Sequence, residues 1–220
     1  MRPIVVFGAG DIAELADFYF AREAGREVVA FVVDAAYRDG DERFGRPLVA
    51  LEEVAARFPP DRHDAFVALS YQSMNRLRAA KCAALKALGY RLASYVSPRA
   101  TVYTDRIGEN AFILEDNTIQ PFVTIGDNVT LWSGNHIGHH SSIGDNSFIT
   151  SHVVVSGGVR VGASCFVGVN ATIRDHVTLG DFTLVGAGGL IIKDTAPESV
   201  HMVADHTQER RVKSTRLKSI

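Results

Sequence analysis

The chain has 220 residues, 46% of them hydrophobic and 22% charged, with a formal net charge of −2. This composition is typical of a globular protein with room for two small domains. The near-neutral balance gives no electrostatic reason to expect nucleic acid or a membrane surface as a partner. Cys82 and Cys165 form no disulfide or metal-binding pattern, which favours a reducing compartment.

Residues 1–10 run directly into a strand-like segment and lack the pattern of a signal peptide. No apolar stretch reaches the roughly 18 residues that a membrane-spanning helix needs. We therefore expect a cytoplasmic protein. The basic run at residues 209–218 is interpreted as part of a solvated tail.

Strand-like and helix-like segments alternate over residues 1–97. In chain order, the sequence predicts a strand at 3–10, a helix at 11–24, a strand at 27–34, a polar loop, a short helix near 50–58, a strand at 64–70, a helix at 73–89 and a strand at 90–96. Alternation with such apolar strands predicts a small parallel sheet covered by helices.

The hydrophobic period changes near residue 98. Every sixth residue from Ile107 to Ile191 is aliphatic, without insertion. An uninterrupted six-residue repeat is typical of a parallel β-helix, in which each hexad supplies one short strand and one turn. Three hexads make a triangular coil, so residues 98–195 form about five coils and residues 196–220 a tail. Asn110, Asn128 and Asn146 then stack in one column, at a turn that tolerates left-handed backbone.

With this repeat, residues 100–194 resemble the hexapeptide-repeat acyltransferases, whose coils wind left-handed. The whole chain is similar to their nucleotide-amino-sugar N-acetyltransferase branch, through "LWSGNHIGHHSSIGD" and "CFVGVNATIRDHVTLGDFTLVGAGGLIIKD". The resemblance implies an α/β Rossmann-like nucleotide-sugar domain over residues 1–97 and a left-handed parallel β-helix after it. It also implies a homotrimer that uses acetyl-CoA as co-substrate.

Four of the eight histidines, His136, His139, His140 and His152, lie between residues 135 and 158. One interpretation is a zinc site like that of β-helix carbonic anhydrases, because His140 and His176 should share a column. The third position of that pattern is Asp181, however, and no complete ligand set is present. We expect no metal, a surface or subunit-interface role for His136, and structural or solvated roles for His152 and His176.

The alternative is an acid–base catalyst. Acyl transfer from a thioester to an amine needs a base for the amine proton, and histidine suits that task near neutral pH. In the resembled family the base lies in a short acid–His–acid segment before a hexad, and the matching segment here is Gly138-His139-His140. His139 is thus the predicted base, and His140 replaces the acidic neighbour as a second catalytic candidate. No Ser–His–acid or Cys–His pair is suggested, which favours direct transfer.

The resemblance also predicts binding residues. Acetyl-CoA lies between neighbouring β-helices in the family, and positional matching points to Gly157, Val169 and Ala187. The usual "G-x-P-A" closing loop is missing. In the first domain, "VVFGAGDIAELA" places a glycine-rich turn before a helix, where phosphate can bind. Matching by position gives Gly10, Asp11, Ile12 and Asp34 as acceptor contacts, with Arg76 as either a phosphate partner or a solvated helix arginine.

These features predict an acetyl-CoA-dependent N-acetyltransferase for a nucleotide-linked amino sugar, in surface-glycan biosynthesis. Three alternatives stay open. Transfer to a sugar hydroxyl would need the same machinery. A zinc-dependent hydratase or a non-catalytic sugar-nucleotide or CoA-binding protein would use the same scaffold differently.

Overall fold

A five-stranded sheet forms the first part of the computed structural model, which describes residues 1–204. The predicted basic run at 209–218 lies outside the described residues. The strands are β1 (Ile4–Phe7), β2 (Val28–Val33), β3 (Glu42–Arg43), β4 (Arg46–Ala50) and β5 (Asp64–Val67), in the order β3-β4-β2-β1-β5. The helices are α1 (Asp11–Arg22), α2 (Val54–Arg57) and α3 (Arg76–Ala87), with a short 3-10 turn at Ala35–Tyr37. Within residues 1–204, no helix has the length and apolar character to cross a bilayer.

Two details of the predicted sheet are wrong. The segment predicted as a polar loop contains β4, which pairs in parallel with β2 and whose Leu48 and Val49 side chains are fully buried. The predicted last strand divides between two structures. Leu92 makes only a single bridge to the first sheet, whereas Tyr95–Val96 pairs with the first coil.

Residues 95–201 form stacked coils with three parallel sheets, which we call the first, second and third faces. The first face comprises Tyr95–Val96, Phe112–Ile113, Thr130–Leu131, Phe148–Ile149, Phe166–Val167, Leu184–Val185 and Val200–His201. The second comprises Thr101–Val102, Thr118–Ile119, His136–Ile137, Val154–Val155, Thr172–Ile173 and Leu190–Ile191. The third comprises Thr124–Ile125, Ser142–Ile143, Arg160–Val161 and Thr178–Leu179. The domain boundaries at residues 97 and 195 stay a prediction.

The predicted inward column forms the core of the coils. Of its members, Ile107 is partly buried, and those from Ile113 to Ile191 are at most 7% exposed. Burying an aliphatic side chain of this size contributes about 1.5–3 kcal/mol, so the column alone can sustain the stack. A second inward position, two residues before each column member, holds small or branched residues such as Ala111, Ser147 and Cys165.

The predicted asparagine column is confirmed and docks the first domain. Asn110, Asn128 and Asn146 have φ of 52°, 56° and 62°. The Asn110 amide donates to Asn128 Oδ1 at 2.9 Å, and the Asn128 amide to Asn146 Oδ1 at 2.8 Å. Asn110 also accepts from the Val67 backbone N–H at 2.7 Å and donates to its carbonyl, so the ladder extends the edge of β5.

Helix α3 reinforces this docking with a buried arginine. Arg78 is 1% exposed, and its guanidinium donates to Asn128 Oδ1 and to the carbonyls of Asn128, Asn146 and Ser147. Burial lowers the pKa of Arg78 to about 10. Just before α3, the buried Asn75 amide donates to the carbonyls of Ser164 and Cys165.

Helix α1 docks against the opposite edge of the first face. Tyr19 donates to Glu115 at 2.9 Å, and Ser133 donates to the other oxygen of the same carboxylate at 2.8 Å. Burial and the Glu115 hydrogen bond raise the pKa of Tyr19 to about 12. The first domain therefore contacts the coils along the first face and at both of its edges. In a triangular coil, the corner between the second and third faces lies opposite.

Candidate active site

The predicted base occupies that opposite corner. We call residues 138–140 and 156–158 the His139 corner, because they form turns between the second and third faces in successive coils. The chain turns at a left-handed residue, which is His140 with φ of 59°. The His139 backbone N–H donates to the Gln120 side chain at 2.8 Å, which ties the turn to the preceding coil.

Gly157 provides the space that the His139 ring occupies. A Cβ at residue 157 would lie 2.7 Å from His139 Cε1 and 2.9 Å from Nε2. These distances are well inside van der Waals contact, so only glycine admits this ring position. The structure thus brings together a predicted catalytic residue and a predicted acetyl-CoA contact.

The two adjacent imidazoles of the corner form a pair. His139 Nδ1 lies 3.1 Å from His140 Nδ1, and the ring planes cross at 86°. The His140 ring packs on Phe122 of the preceding coil, with centroids 4.7 Å apart. Both histidines are exposed to solvent at the surface of this chain. The exposed His139 ring therefore lies over a glycine, with its Cε1 and Nε2 atoms nearest to residue 157.

The remaining clustered histidines take other positions. His136 lies in a second-face strand between Thr118 and Val154. His152 and His176 occupy left-handed turn positions, with φ of 58° each, and their rings lie over Gly134 and Gly158. Among residues 1–204, no group of three or more His, Cys, Asp or Glu side chains is arranged to hold a metal ion.

The other two predicted acetyl-CoA contacts lie at a different corner. Val169 and Ala187 stack in turns between the first and second faces, and we call these turns the Val169 corner. Both are exposed, Val169 by 43%. Within one chain, the Val169 corner and the His139 corner are the two edges of the second face.

A cavity of about 520 Å³ opens at the carboxyl ends of β1, β2 and β5. Its lining includes Gly8, Ala9, Asp34, Ser73 and Lys81. Ligands bind at such strand ends in open α/β sheets. Gly8 has φ of 131°, and a Cβ there would lie 2.5 Å from the Ala68 carbonyl oxygen, so this position requires glycine.

Of the predicted acceptor contacts, only Asp34 lines this cavity. Its carboxylate accepts from Lys81 Nζ at 2.6 Å. Gly10 precedes α1 and is exposed, and Asp11 is an exposed first-turn residue. Ile12 is half-buried and packs on the core beneath the helix. These three residues frame the start of α1 beside the cavity without lining it.

Arg76 turns away from the cavity. Its guanidinium lies over the Phe182 ring at 4.6 Å and 4.0 Å from Glu198, both on the coils. Sequence reasoning missed Lys81 and Gln120. Lys81 lies on α3, three residues after Arg78, and lines the cavity. Gln120 lies 19 residues before His139, which is one 18-residue coil and one further residue. The 18-residue period could have indicated Gln120.

Comparison with known proteins agrees with this architecture. Residues 106–139 and 125–157 match the family model of the bacterial transferase hexapeptide (six repeats). Comparison of the sequence with curated proteins finds no match. One similar structure is a histidine-to-asparagine mutant of perosamine N-acetyltransferase from Caulobacter crescentus, in complex with CoA and GDP-perosamine. It shares 26% sequence identity with this chain and superposes with a TM-score of 0.82, over 92% of this chain and 94% of the other.

The chain is an acyltransferase that carries bacterial transferase hexapeptide repeats within residues 106–157. PerB from Caulobacter crescentus, also in complex with CoA and GDP-perosamine, is 26% identical with a TM-score of 0.81, covering 92% of this acyltransferase and 95% of that chain. The acetyltransferase domain of PglB from Neisseria gonorrhoeae FA1090, in complex with acetyl coenzyme A, is 23% identical with a TM-score of 0.79, covering 92% and 96%. The predicted fold class, an α/β domain followed by a left-handed parallel β-helix, is confirmed.

Proposed function

We propose that this acyltransferase moves an acetyl group from acetyl-CoA to the amine of a nucleotide-linked sugar, in cytoplasmic steps of surface-glycan biosynthesis. One observation carries the proposal. The similarity to a sugar N-acetyltransferase with CoA and GDP-perosamine bound extends over 92% of this chain, so it includes both the cavity domain and the coils.

His139 is the general base of the proposed reaction. The amine nitrogen attacks the thioester carbonyl carbon, the new C–N bond forms, the C–S bond breaks and CoA departs with the sulfur. The amine proton goes to Nε2 of His139, whose exposed ring lies over Gly157. Acceptance of a proton in the transition state is worth about 10²- to 10⁴-fold in rate.

The position of His139 favours a site shared between copies of the chain. Its corner lies opposite the face that docks the first domain, so a sugar held in the cavity of one chain is remote from that chain's own His139. A neighbouring copy can supply the sugar instead. We therefore infer an oligomer, and the resemblance indicates a homotrimer.

Exposed apolar residues indicate which face meets the neighbour. Val154 and Leu190 point outward from the second face and are 39% and 67% exposed. The third face instead presents Thr124, Ser142, Arg160 and Thr178. Around a threefold axis with second faces inward, the His139 corner of one copy adjoins the Val169 corner of the next. That junction would unite Gly157, Val169 and Ala187 around one acetyl-CoA.

The test has two parts. The purified protein is incubated with acetyl-CoA and a panel of amino-sugar nucleotides that includes GDP-perosamine, and mass spectrometry detects the addition of one acetyl group. His139→Ala should then lower kcat by about 10²-fold or more, with CoA binding and oligomeric state unchanged. His152→Ala is the matched control, because it also replaces a corner histidine and should leave kcat unchanged.

Two outcomes contradict the proposal. If no amino-sugar nucleotide is acetylated, the assigned reaction is wrong. If a sugar is acetylated and His139→Ala turns over at a near-normal rate, the reaction stands and His139 is not its base.

A further inference from the structure

We propose that His140 is a positioning residue that fixes the protonation pattern of His139, an inference that rests on the proposed function. The Nδ1 atom of His140 accepts a hydrogen bond from Nδ1–H of His139. This leaves Nε2 of His139 without a proton and free to act as the base. A second imidazole thus takes the orienting role at this corner.

The proposal starts from the 3.1 Å separation of the two Nδ1 atoms. A neutral imidazole carries one N–H, so this hydrogen bond requires one Nδ1 to be protonated and the other bare. If His139 donates, its Nε2 is bare. If His140 donates, His139 carries its proton on Nε2 and cannot accept another there. The contact therefore links the protonation of both rings.

An approaching amine selects between these two arrangements. In the attacking geometry the amine lone pair points at the thioester carbon, so only its N–H is left for His139, and that donor needs a bare Nε2. Because Gly157 has no side chain, nothing from the next coil displaces the His139 ring, which stays exposed to solvent. Binding of the acceptor thus favours the arrangement in which His139 Nδ1–H points to His140. The general rule is that the hydrogen bond at one imidazole nitrogen sets the proton at the other.

The surroundings of His140 hold its ring in place. The residue occupies the left-handed turn position, and its backbone N–H donates to the Pro121 carbonyl at 3.3 Å. Its ring packs on Phe122 at a tilt of 35°. His139 is held from the other side by its backbone bond to Gln120. Two anchored rings meet edge to face, an arrangement that a freely solvated turn histidine would not keep.

The pair also serves the step after proton transfer. Once Nε2 has accepted the amine proton, His139 is a cation and its Nδ1–H bond to His140 becomes charge-assisted, which strengthens it. The neutral acceptor stabilises the cation without adding a negative charge to the corner. When the proton leaves Nε2 to solvent, the starting arrangement returns.

Three variants test this role. His140→Ala removes the acceptor and should lower kcat about tenfold, within the 10- to 100-fold range that loss of an orienting partner produces, while both KM values change less than about twofold. His140→Asp restores an acceptor for Nδ1–H and tolerates positive φ, so it should recover kcat to within about threefold of the wild type. His176→Ala, at a corner position with the same left-handed backbone, controls for folding effects and should keep normal kcat.

A spectroscopic measurement separates positioning from simple structural support. With ¹⁵N-labelled histidine and an acceptor-sugar analogue bound, the His139 nitrogen shifts should report a protonated Nδ1 and a bare Nε2. In His140→Ala the same shifts should move toward a mixture of the two forms.

The inference is overturned if His140→Ala retains kcat within twofold of the wild type. It is also overturned if His140→Asp is as slow as His140→Ala, or if the nitrogen shifts of His139 do not change between the wild type and His140→Ala. Failure of the proposed function looks different. In that case His139→Ala itself retains activity, or no sugar is acetylated.

Discussion

Gly157→Ala isolates the contribution of ring placement at the His139 corner. The added Cβ would lie 2.7 Å from His139 Cε1, whereas ordinary contact begins at 3.4 Å, so the ring must move by about 0.7 Å. A misplacement of about 1 Å can reduce a rate about 10²-fold. We expect kcat to fall about 10- to 100-fold, equivalent to about 1.4–2.7 kcal/mol in activation free energy.

The assay compares kcat and KM for both substrates in Gly157→Ala, Gly134→Ala and the double variant His139→Ala/Gly157→Ala. Gly134→Ala is a matched control, because its added Cβ would meet the His152 ring at another corner and its φ is 79°. It should lower stability and leave kcat intact. The double variant should be no slower than His139→Ala alone.

The reasoning is refuted if Gly157→Ala keeps kcat within twofold and raises only the KM for acetyl-CoA. That result would show that Gly157 contacts acetyl-CoA but does not determine the position of the His139 ring. A further tenfold loss of kcat in the His139→Ala background would likewise show that the glycine acts independently of the imidazole.

Two further predictions concern the first domain. Asp34→Asn removes the charged partner of Lys81 in the cavity, and it should raise the KM for the sugar nucleotide about tenfold with little change in kcat. Asp11→Asn, which lies outside the cavity lining, should leave that KM unchanged. If steady-state kinetics show the reverse pattern, the nucleotide binds near Asp11 and not in the cavity. Arg78→Met leaves the buried carbonyls of Asn128, Asn146 and Ser147 unpaired, and it should lower the free energy of unfolding by about 3 kcal/mol. Urea titration measures this change. An unchanged urea midpoint would contradict the role of Arg78 in holding the first domain to the coils.

The coils were predictable because their pattern is local. Each hexad repeats the same strand and turn, so the inward column from Ile113 to Ile191 follows from counting residues. The asparagine ladder follows from the same count, since residues 18 apart stack. Chain positions such as 139 and 157 could also be paired in this way.

The docking of the two domains was not predictable. Asn75 and Arg78 look like ordinary polar residues at the start of a surface helix, and nothing in their spacing indicates that they are buried against the coils. For the same reason Arg76 was an ambiguous phosphate candidate, although its ring contact is with Phe182. Such contacts join residues that are 50 or more positions apart, and they depend on how two folded surfaces fit together.

The candidate site was predictable in part. Adjacency of His139 and His140 is visible in the sequence, but the contact between their Nδ1 atoms depends on side-chain rotamers set by Phe122 and Gly157, each 17 or 18 residues distant along the chain. The lysine that pairs with Asp34 was missed because it lies on a helix distant in sequence from the glycine-rich turn.

The asparagine ladder bonds directly to the backbone of Val67, the last residue of β5, two residues before Leu69 in the cavity lining. Hydrogen bonds therefore join the strand that ends at the cavity directly to the coil stack, and symmetry would repeat the same span from cavity to coils in every copy of an assembly. In the proposed reaction, that span would set the distance from a bound phosphate to the amine, and with it the carbon of the sugar at which the acetyl group is added.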